Sequence, residues 1–451
     1  MKNNIAWDKE NKKDVLDFCD KYIDYLNNSK TERLCTSQSE KIAINAGFVN
    51  IENKQTLCPG DKVYKINRGK NIILAIIGSE DILKGTNIIA SHIDSPRLDL
   101  KPNPLYEDSN LALFKTHYYG GIKKYQWTAI PLSLIGVVAK EDGEVINVNI
   151  GEDDGDPKFT ITDLLPHLAQ DQMSQTASKM FTGEDLNILI GSIPSECEKS
   201  KFKQTILDIL KSKYNIEEDD FISSELEIVP SYKACTIGLD MSMVGSYGQD
   251  DRVCAYTSLT AICRCENPVR TSICFLADKE ETGSDGNTGM QSKFFENFVA
   301  QLILKTKNEY NDIYLQNTLS NSMCLSSDVT AAVDPTYKSV NEENNSAFMG
   351  CGVAFCKYTG ARGKSSTSDA NAEFVAKVRS IFNKANVIWQ MCELGKVDQG
   401  GGGTVAKYIA NLNVDTIDVG VPLLSMHAPF EIASKVDIYS AYKGYVAFYK
   451  A

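Results

Sequence analysis

The chain reads as an α/β protein interrupted by a β-rich insertion, and two observations carry that reading. Short apolar, strand-like runs alternate with helix-periodic stretches over residues 1–96 and again over 245–451. Between about 97 and 240 the texture shifts to closely spaced β-type runs separated by Gly/Asp turns. A length of 451 residues accommodates two or three domains.

Taken in order, residues 9–30 predict a helix, because Val15, Phe18, Cys19, Tyr22 and Leu26 recur at helical spacing. NIILAIIG (71–78) and TNIIASHID (86–94) predict short buried strands bounded by turn residues. The second of these loses its apolar character at Ser91, which puts His92 and Asp94 at a strand's carboxyl end, where α/β sheets carry their sites. IPLSLIGVVA (130–139), GEVINVNIG (143–151) and KFTITDLL (158–165) are the β-type runs of the insertion. A helical patch at 201–213 and strand signals at LEIVP (226–230) and ACTIGLD (234–240) follow. After 245 come a helix over 255–265, the strand TSICFLA (271–277) and a helix over 297–305. Next are the strand-like CGVAFCKY (351–358), a helix over 369–385 and the apolar run VDTIDVGVPLLSMH (414–427). The tetraglycine of DQGGGGTVA (398–406) precedes a helix-like run; it reads either as a place of close backbone approach or as a linker turn.

Composition bounds the partners. The chain is 43% hydrophobic and 24% charged, with a net charge of −12 and a pI near 5.0. That balance argues against nucleic acid and anionic membrane surfaces as partners. The longest apolar candidate, TAIPLSLIGVVA (128–139), contains Pro131 and falls short of the roughly 18–20 residues a span requires. The charged N-terminal stretch is unlike a secretory signal, so the expected location is cytoplasmic. Thirteen cysteines without a CxxC read as reduced thiols, mostly small core residues.

The most informative residues are two adjacent glutamates, Glu280 and Glu281, in LADKEETGSDG at the end of the 271–277 strand. Two neighbouring carboxylates repel each other when both are ionised, a cost more readily met beside a cation or a proton-transfer task. Standing alone, they also fit a solvated acidic turn. The four histidines add context. His92 opens a His-x-Asp at a strand end, and His427 closes the apolar run VGVPLLSMH. Acidic residues occupy comparable places at Asp250, Asp251 and Asp328. Imidazole and carboxylate are zinc ligands, and two ions sharing a bridging carboxylate need about five of them. Two histidines and three carboxylates supply that number and leave one glutamate over as a base. Asp94 can then fix the tautomer of His92.

In order along the chain, ASHIDSPRLDLKPNP, GQDDR, KEETGS, SSDVTAAVDPTY, DQGGGGT and VGVPLLSMHAPFE resemble the motifs of the aspartyl aminopeptidase family, which includes vacuolar aminopeptidase I. The resemblance extends from about residue 20 to the C-terminus. It implies a dinuclear zinc exopeptidase with two Zn²⁺ per subunit, for which Co²⁺ or Mn²⁺ could substitute. It implies a proteolytic domain over 1–96 and 245–451, with a mixed central sheet and helices on both faces. The insertion, 97–244, would be a β-rich dimerisation domain. It further implies a homo-oligomer, either a dimer or a dodecamer.

Residue by residue, the resemblance makes His92 and Asp328 ligands of one ion, Glu281 and His427 ligands of the other, and Asp250 the bridge. Asp94 orients His92, and Glu280 is the general base. Asp251 holds a position where many members carry Asn, next to a peptide bond that is cis in related folds; which of the two aspartates bridges is left open. Where eukaryotic members continue from the metal aspartate with two histidines, this chain reads Asp328-Val329-Thr330-Ala331-Ala332-Val333-Asp334-Pro335. His167, in LLPHLAQDQ, is the nearest match to a histidine that such members send into a neighbouring subunit's site. These departures bear on preference for acidic residues more than on the metal chemistry.

The implied substrates are peptides with a free N-terminus. Glu280 would take a proton from the attacking water and deliver it to the leaving amine. Lys357, with Arg362 and Lys364 close by in sequence, and the tetraglycine amides are candidates for holding a substrate carboxylate or an oxyanion. Deacylases and carboxypeptidases of the same metal class share this inventory. A non-catalytic oligomeric shell is the alternative from a different class.

Overall fold

The computed structural model describes residues 4–451. They divide into two compact units, one of residues 4–94, 234–426 and 430–451 and the other of residues 95–233 and 427–429.

The first unit is built on a nine-stranded mixed sheet. Four neighbouring strands at its centre, Thr271–Ala277, Thr86–His92, Met323–Ser326 and Asp415–Gly420, run parallel. Antiparallel strands flank them on both sides, Asn71–Ile76 against Thr271–Ala277 and Val353–Cys356 against Asp415–Gly420. Parallel central strands are buried on both faces, which explains why they read as continuous apolar runs rather than alternating ones. Two hydrophobic clusters account for this. One gathers Leu74, Leu276, Leu325 and Val419 with helix residues such as Leu259, Phe382 and Tyr445. The other gathers Ile73, Phe275 and Cys324 with Phe298 and Leu302.

Helix Lys12–Asn27 begins where expected, capped by the Asn11 side chain, and buries Val15, Cys19, Tyr22 and Leu26. Phe18 instead stacks at the margin on Tyr442, with ring centroids 4.6 Å apart. Helices Glu32–Asn45 and Lys435–Tyr449 were not singled out by periodicity. The second of them is buried nearly all round, so it carries no amphipathic stripe to read. A second sheet of the same unit joins Cys235–Ile237, Met243–Ser246, Glu431–Ser434, Pro422–Leu424 and Thr330–Ala331. Residues 234–244, grouped with the insertion by sequence texture, therefore pair within the first unit.

The second unit is a six-stranded antiparallel sheet in the order Val145–Ile150, Leu132–Ala139, Ser224–Pro230, Arg97–Asp108, Leu111–Tyr119 and Ile188–Gly191. Arg97 is buried in it beneath an aromatic ring. Its Nε lies 2.8 Å from Asp99 and 3.3 Å from Glu227, and its guanidinium sits 3.9 Å from the Tyr119 ring centre. The run 158–165 corrects the sequence reading, since it forms no strand. Phe159 and Thr160 each make a single bridge, to Leu132 and Leu189 on different strands, so no ladder grows along either one. Pro157 and Pro166 bound the run and cannot donate to a ladder.

Candidate metal centre

The carboxyl ends of the parallel strands converge on one group of side chains. His92 is the last residue of its strand and is fully buried. Its Nδ1 lies 3.0 Å from the Asp94 carbonyl oxygen and 3.3 Å from Asp94 Oδ1. With Nδ1 occupied on that side, Nε2 faces the acids: Asp250 Oδ1 at 3.1 Å, and Glu280 Oε2 and Asp328 Oδ1 each at 3.9 Å. An imidazole whose far nitrogen is held in this way is oriented as a metal ligand.

The neighbouring strand ends at Ala277 and turns through Lys279, at φ 70°, into the single turn Glu280–Thr282, which Gly283 closes at φ 92°. Asp94 anchors this turn. Its Oδ1 accepts the Glu280 N–H and its Oδ2 the Glu281 N–H, both at 3.1 Å. Asp278 closes the base of the loop by accepting the Lys279 N–H at 2.8 Å and the Thr288 hydroxyl at 2.6 Å.

Asp250 and Asp251 sit at the start of the element Gln249–Cys263, where their backbone departs from helical geometry and the peptide between them is cis. The Asp250 N–H donates to Glu431 Oε2 at 3.1 Å, and Gln249 donates to the Glu431 and Val244 carbonyls. Asp251 Oδ2 accepts the His92 backbone N–H at 3.2 Å. Beneath them Arg252 is buried and donates to the Lys30 and Gly248 carbonyls. Asp328 follows the Met323–Ser326 strand. A buried hydroxyl chain links these elements: Ser91 to Ser258 at 3.0 Å, Ser258 to Ser327 at 3.2 Å, and Ser327 to the Tyr445 hydroxyl at 2.6 Å. Ser91 and Ser327 immediately precede His92 and Asp328 in sequence.

Two ligand sets fall within 4.8 Å, His92 with Asp251 and Asp328, and His92 with Asp250 and Glu281. Electrostatics favours a cation here. Burial pushes the Asp251 and Asp328 carboxyls well above the ordinary range, although the imidazole opposes it. Burial also disfavours a charged His92, but the contacts with Asp250 and Asp94 and the surrounding acids outweigh it and hold the imidazole well above its usual value. Asp251 Oδ1 and Asp328 Oδ2 are buried with no hydrogen-bond partner among the described residues. A divalent ion would supply both the charge and the missing bonds, so the donor set fits a metal.

The remaining candidates stand outside these two ligand sets. His427 groups with the second unit, at φ 64°, and its Nδ1 lies 2.9 Å from the Gly121 carbonyl oxygen. His167 is exposed on the short turn Pro166–Leu168 of that unit. Lys357 and Lys364 both reach Asp369, at 3.7 and 2.8 Å. Lys364 also covers the Tyr358 ring. Arg362 and Lys364, with Lys396 and Gly400, line a small adjoining cavity. Sequence reasoning gave no role to Glu431, Asp278 or the serine chain. Glu431 was in plain sight as the last residue of MHAPFE, but no spacing rule ties it to Asp250.

A mixed α/β sheet that gathers an imidazole and carboxylates at the carboxyl ends of its parallel strands defines a candidate metal-binding protein. The aminopeptidase I zinc metalloprotease family (M18) matches residues 25–449. A probable M18 family aminopeptidase 1 of Clostridium acetobutylicum is 54% identical, over 98% of this chain and 97% of its own. The crystal structure of the Thermotoga maritima M18 aminopeptidase superposes with a TM-score of 0.97 at 45% identity, covering 100% of this chain and 99% of that one. The aminopeptidase I structure of C. acetobutylicum gives 0.93 at 53%, covering 99% and 98%. The chain belongs to the M18 family of zinc aminopeptidases. No described helix is long and apolar enough to cross a membrane.

Proposed function

We propose that this hydrolase removes the N-terminal residue from peptides with two zinc ions per subunit and Glu280 as general base, and that it favours acidic N-terminal residues. The observation that carries the reading is the Asp94 carboxylate, which accepts the backbone N–H groups of both Glu280 and Glu281 while facing His92. It couples the base and two ligand candidates through one rigid group. Asp250 would serve as the bridging ligand, since Asp251 accepts the His92 backbone N–H with one of its oxygens. Asp328 would complete the set with His92, and the family resemblance implies His427 as the partner of Glu281.

Zinc, when bound, supplies an acidified water and polarises the scissile carbonyl. Glu280 accepts the water's proton and passes it to the departing amine. The surrounding carboxylates hold the substrate's α-ammonium group, which limits cleavage to the first residue. An acidic side chain would take the place of Asp369 as the partner of Lys357. Assembly as dimers, and from them a dodecamer, is consistent with the fold likeness to the S. cerevisiae mApe1 dodecamer, whose TM-score is 0.77 at 19% identity. His167 is the residue this chain offers to a neighbouring subunit.

A panel of p-nitroanilides and peptides tests the reading. Free-amine substrates should be cleaved and N-acetylated ones ignored, with Asp and Glu preferred and Lys357→Met erasing that preference. Equal cleavage of blocked peptides would point instead to a deacylase or carboxypeptidase. A preference that survives Lys357→Met would remove Lys357 from recognition.

A further inference from the structure

All thirteen cysteines are free thiols in this structure, yet two stand in a special relation. Cys356 and Cys392 close adjacent parallel strands, Val353–Cys356 and Trp389–Cys392, as direct register partners. Their Sγ atoms lie 2.9 Å apart, inside van der Waals contact and within an ångström of the ~2.05 Å of a disulfide. Both are buried in a pocket of small side chains with Ala347 and Ala354. Both sulfurs also approach the Thr330 hydroxyl, at 3.6 and 3.9 Å. Neither belongs to a ligand cluster among the described residues, so a shared metal does not explain the contact. No other cysteine pair among the described residues places its sulfurs this close.

We propose that Cys356 and Cys392 form a reversible disulfide, a redox modification site separate from the metal centre. The oxidant is hydrogen peroxide. One sulfur attacks the peroxide O–O bond and becomes a sulfenic acid as water leaves. The second sulfur then displaces the hydroxyl oxygen, which departs as a second water, and the S–S bond forms. The two thiols thus lose two protons and two electrons, and the peroxide gains both. The Cys356 thiol is held well above its ordinary pKa by its contact with Cys392 and by burial, so the reaction should be slow and require a small, uncharged oxidant. The bond would tie the two strands together one residue before Lys357 and Glu393; Glu393 already accepts the Tyr358 hydroxyl at 2.6 Å.

The test is thiol mapping of the full chain after incubation with hydrogen peroxide, alkylation under denaturing conditions, and tryptic digestion. The expected product joins peptides 339–357 and 385–396 and regains both thiols with dithiothreitol. Cys351 shares the first of these peptides, so the linkage must persist in Cys351→Ser and vanish in Cys356→Ser and Cys392→Ser. Native circular dichroism of each variant separates lost linkage from lost fold. Free, fully alkylated Cys356 and Cys392 in folded, oxidised protein would overturn the proposal, as would a linkage through Cys351.

Discussion

At Asp94 a single buried carboxylate receives two backbone N–H groups from the glutamate turn and faces the histidine that opens the site. Removing it leaves those donors unpaired and frees the imidazole to rotate. Asp94→Ala should weaken zinc binding by roughly 10–100-fold, read by competition with a chromophoric chelator. Unchanged affinity would show that His92 is oriented by the Asp94 carbonyl alone. Glu280→Gln keeps the side chain's shape but cannot accept a proton, so turnover should fall by about 10²–10⁴-fold with little change in KM. At this scale contiguous motifs pointed to residues that the fold brings together, as His92, Glu280 and Glu281 are. The pairings of Glu431 and Ser258 could not be read, because their partners Asp250, Ser91 and Ser327 lie far away in sequence and meet them only through the folded sheet.

Among the elements, the strand Asp415–Gly420 passes directly against the backbone at Asp328, where a Cβ on Gly420 would collide with the Asp328 carbonyl oxygen. Gly420→Ala should displace Asp328, lower the zinc content per chain, and cost about 1–3 kcal/mol of stability. Denaturation with and without zinc would measure both effects. The helix Lys435–Tyr449 offers a different lever. Its buried Asp437 accepts the N–H groups of Gly350 and Gly352, each at 2.7 Å, and burial pushes its carboxyl up to about 8 against those bonds. The folded chain therefore holds a proton there at pH values where the unfolded chain, with a carboxyl near ~3.9, does not. That contribution to stability is full below the unfolded value and is lost as pH rises through about 8. The melting temperature of the wild type relative to Asp437→Asn should fall between pH 5 and pH 9; a constant difference would contradict the assignment. Strands with continuous apolar runs, such as Thr271–Ala277, could be read to the residue. The run 158–165 has strand composition without a strand's partners, and the helix Lys435–Tyr449 is buried too evenly to show a period.

For the molecule as a whole, metal and fold are linked, since the carboxylates gathered around His92 repel one another unless a cation joins them. Dialysis against a chelator should lower the melting temperature, and added zinc should restore it, rising with the logarithm of the free zinc concentration. The α/β class and the β-rich insertion were legible from texture. The strand order of the sheet was not, because pairing between strands far apart in sequence leaves no local trace. The central claim, that two zinc ions and Glu280 perform N-terminal hydrolysis, is tested most directly by counting metal and activity together. Wild type and Glu280→Gln are purified alike, their zinc is measured by elemental analysis, and both are assayed on p-nitroanilides that include Asp and Glu. The account predicts about two zinc ions per chain in both proteins and activity in the wild type only. A wild type without zinc, or equal rates in the two proteins, would contradict it.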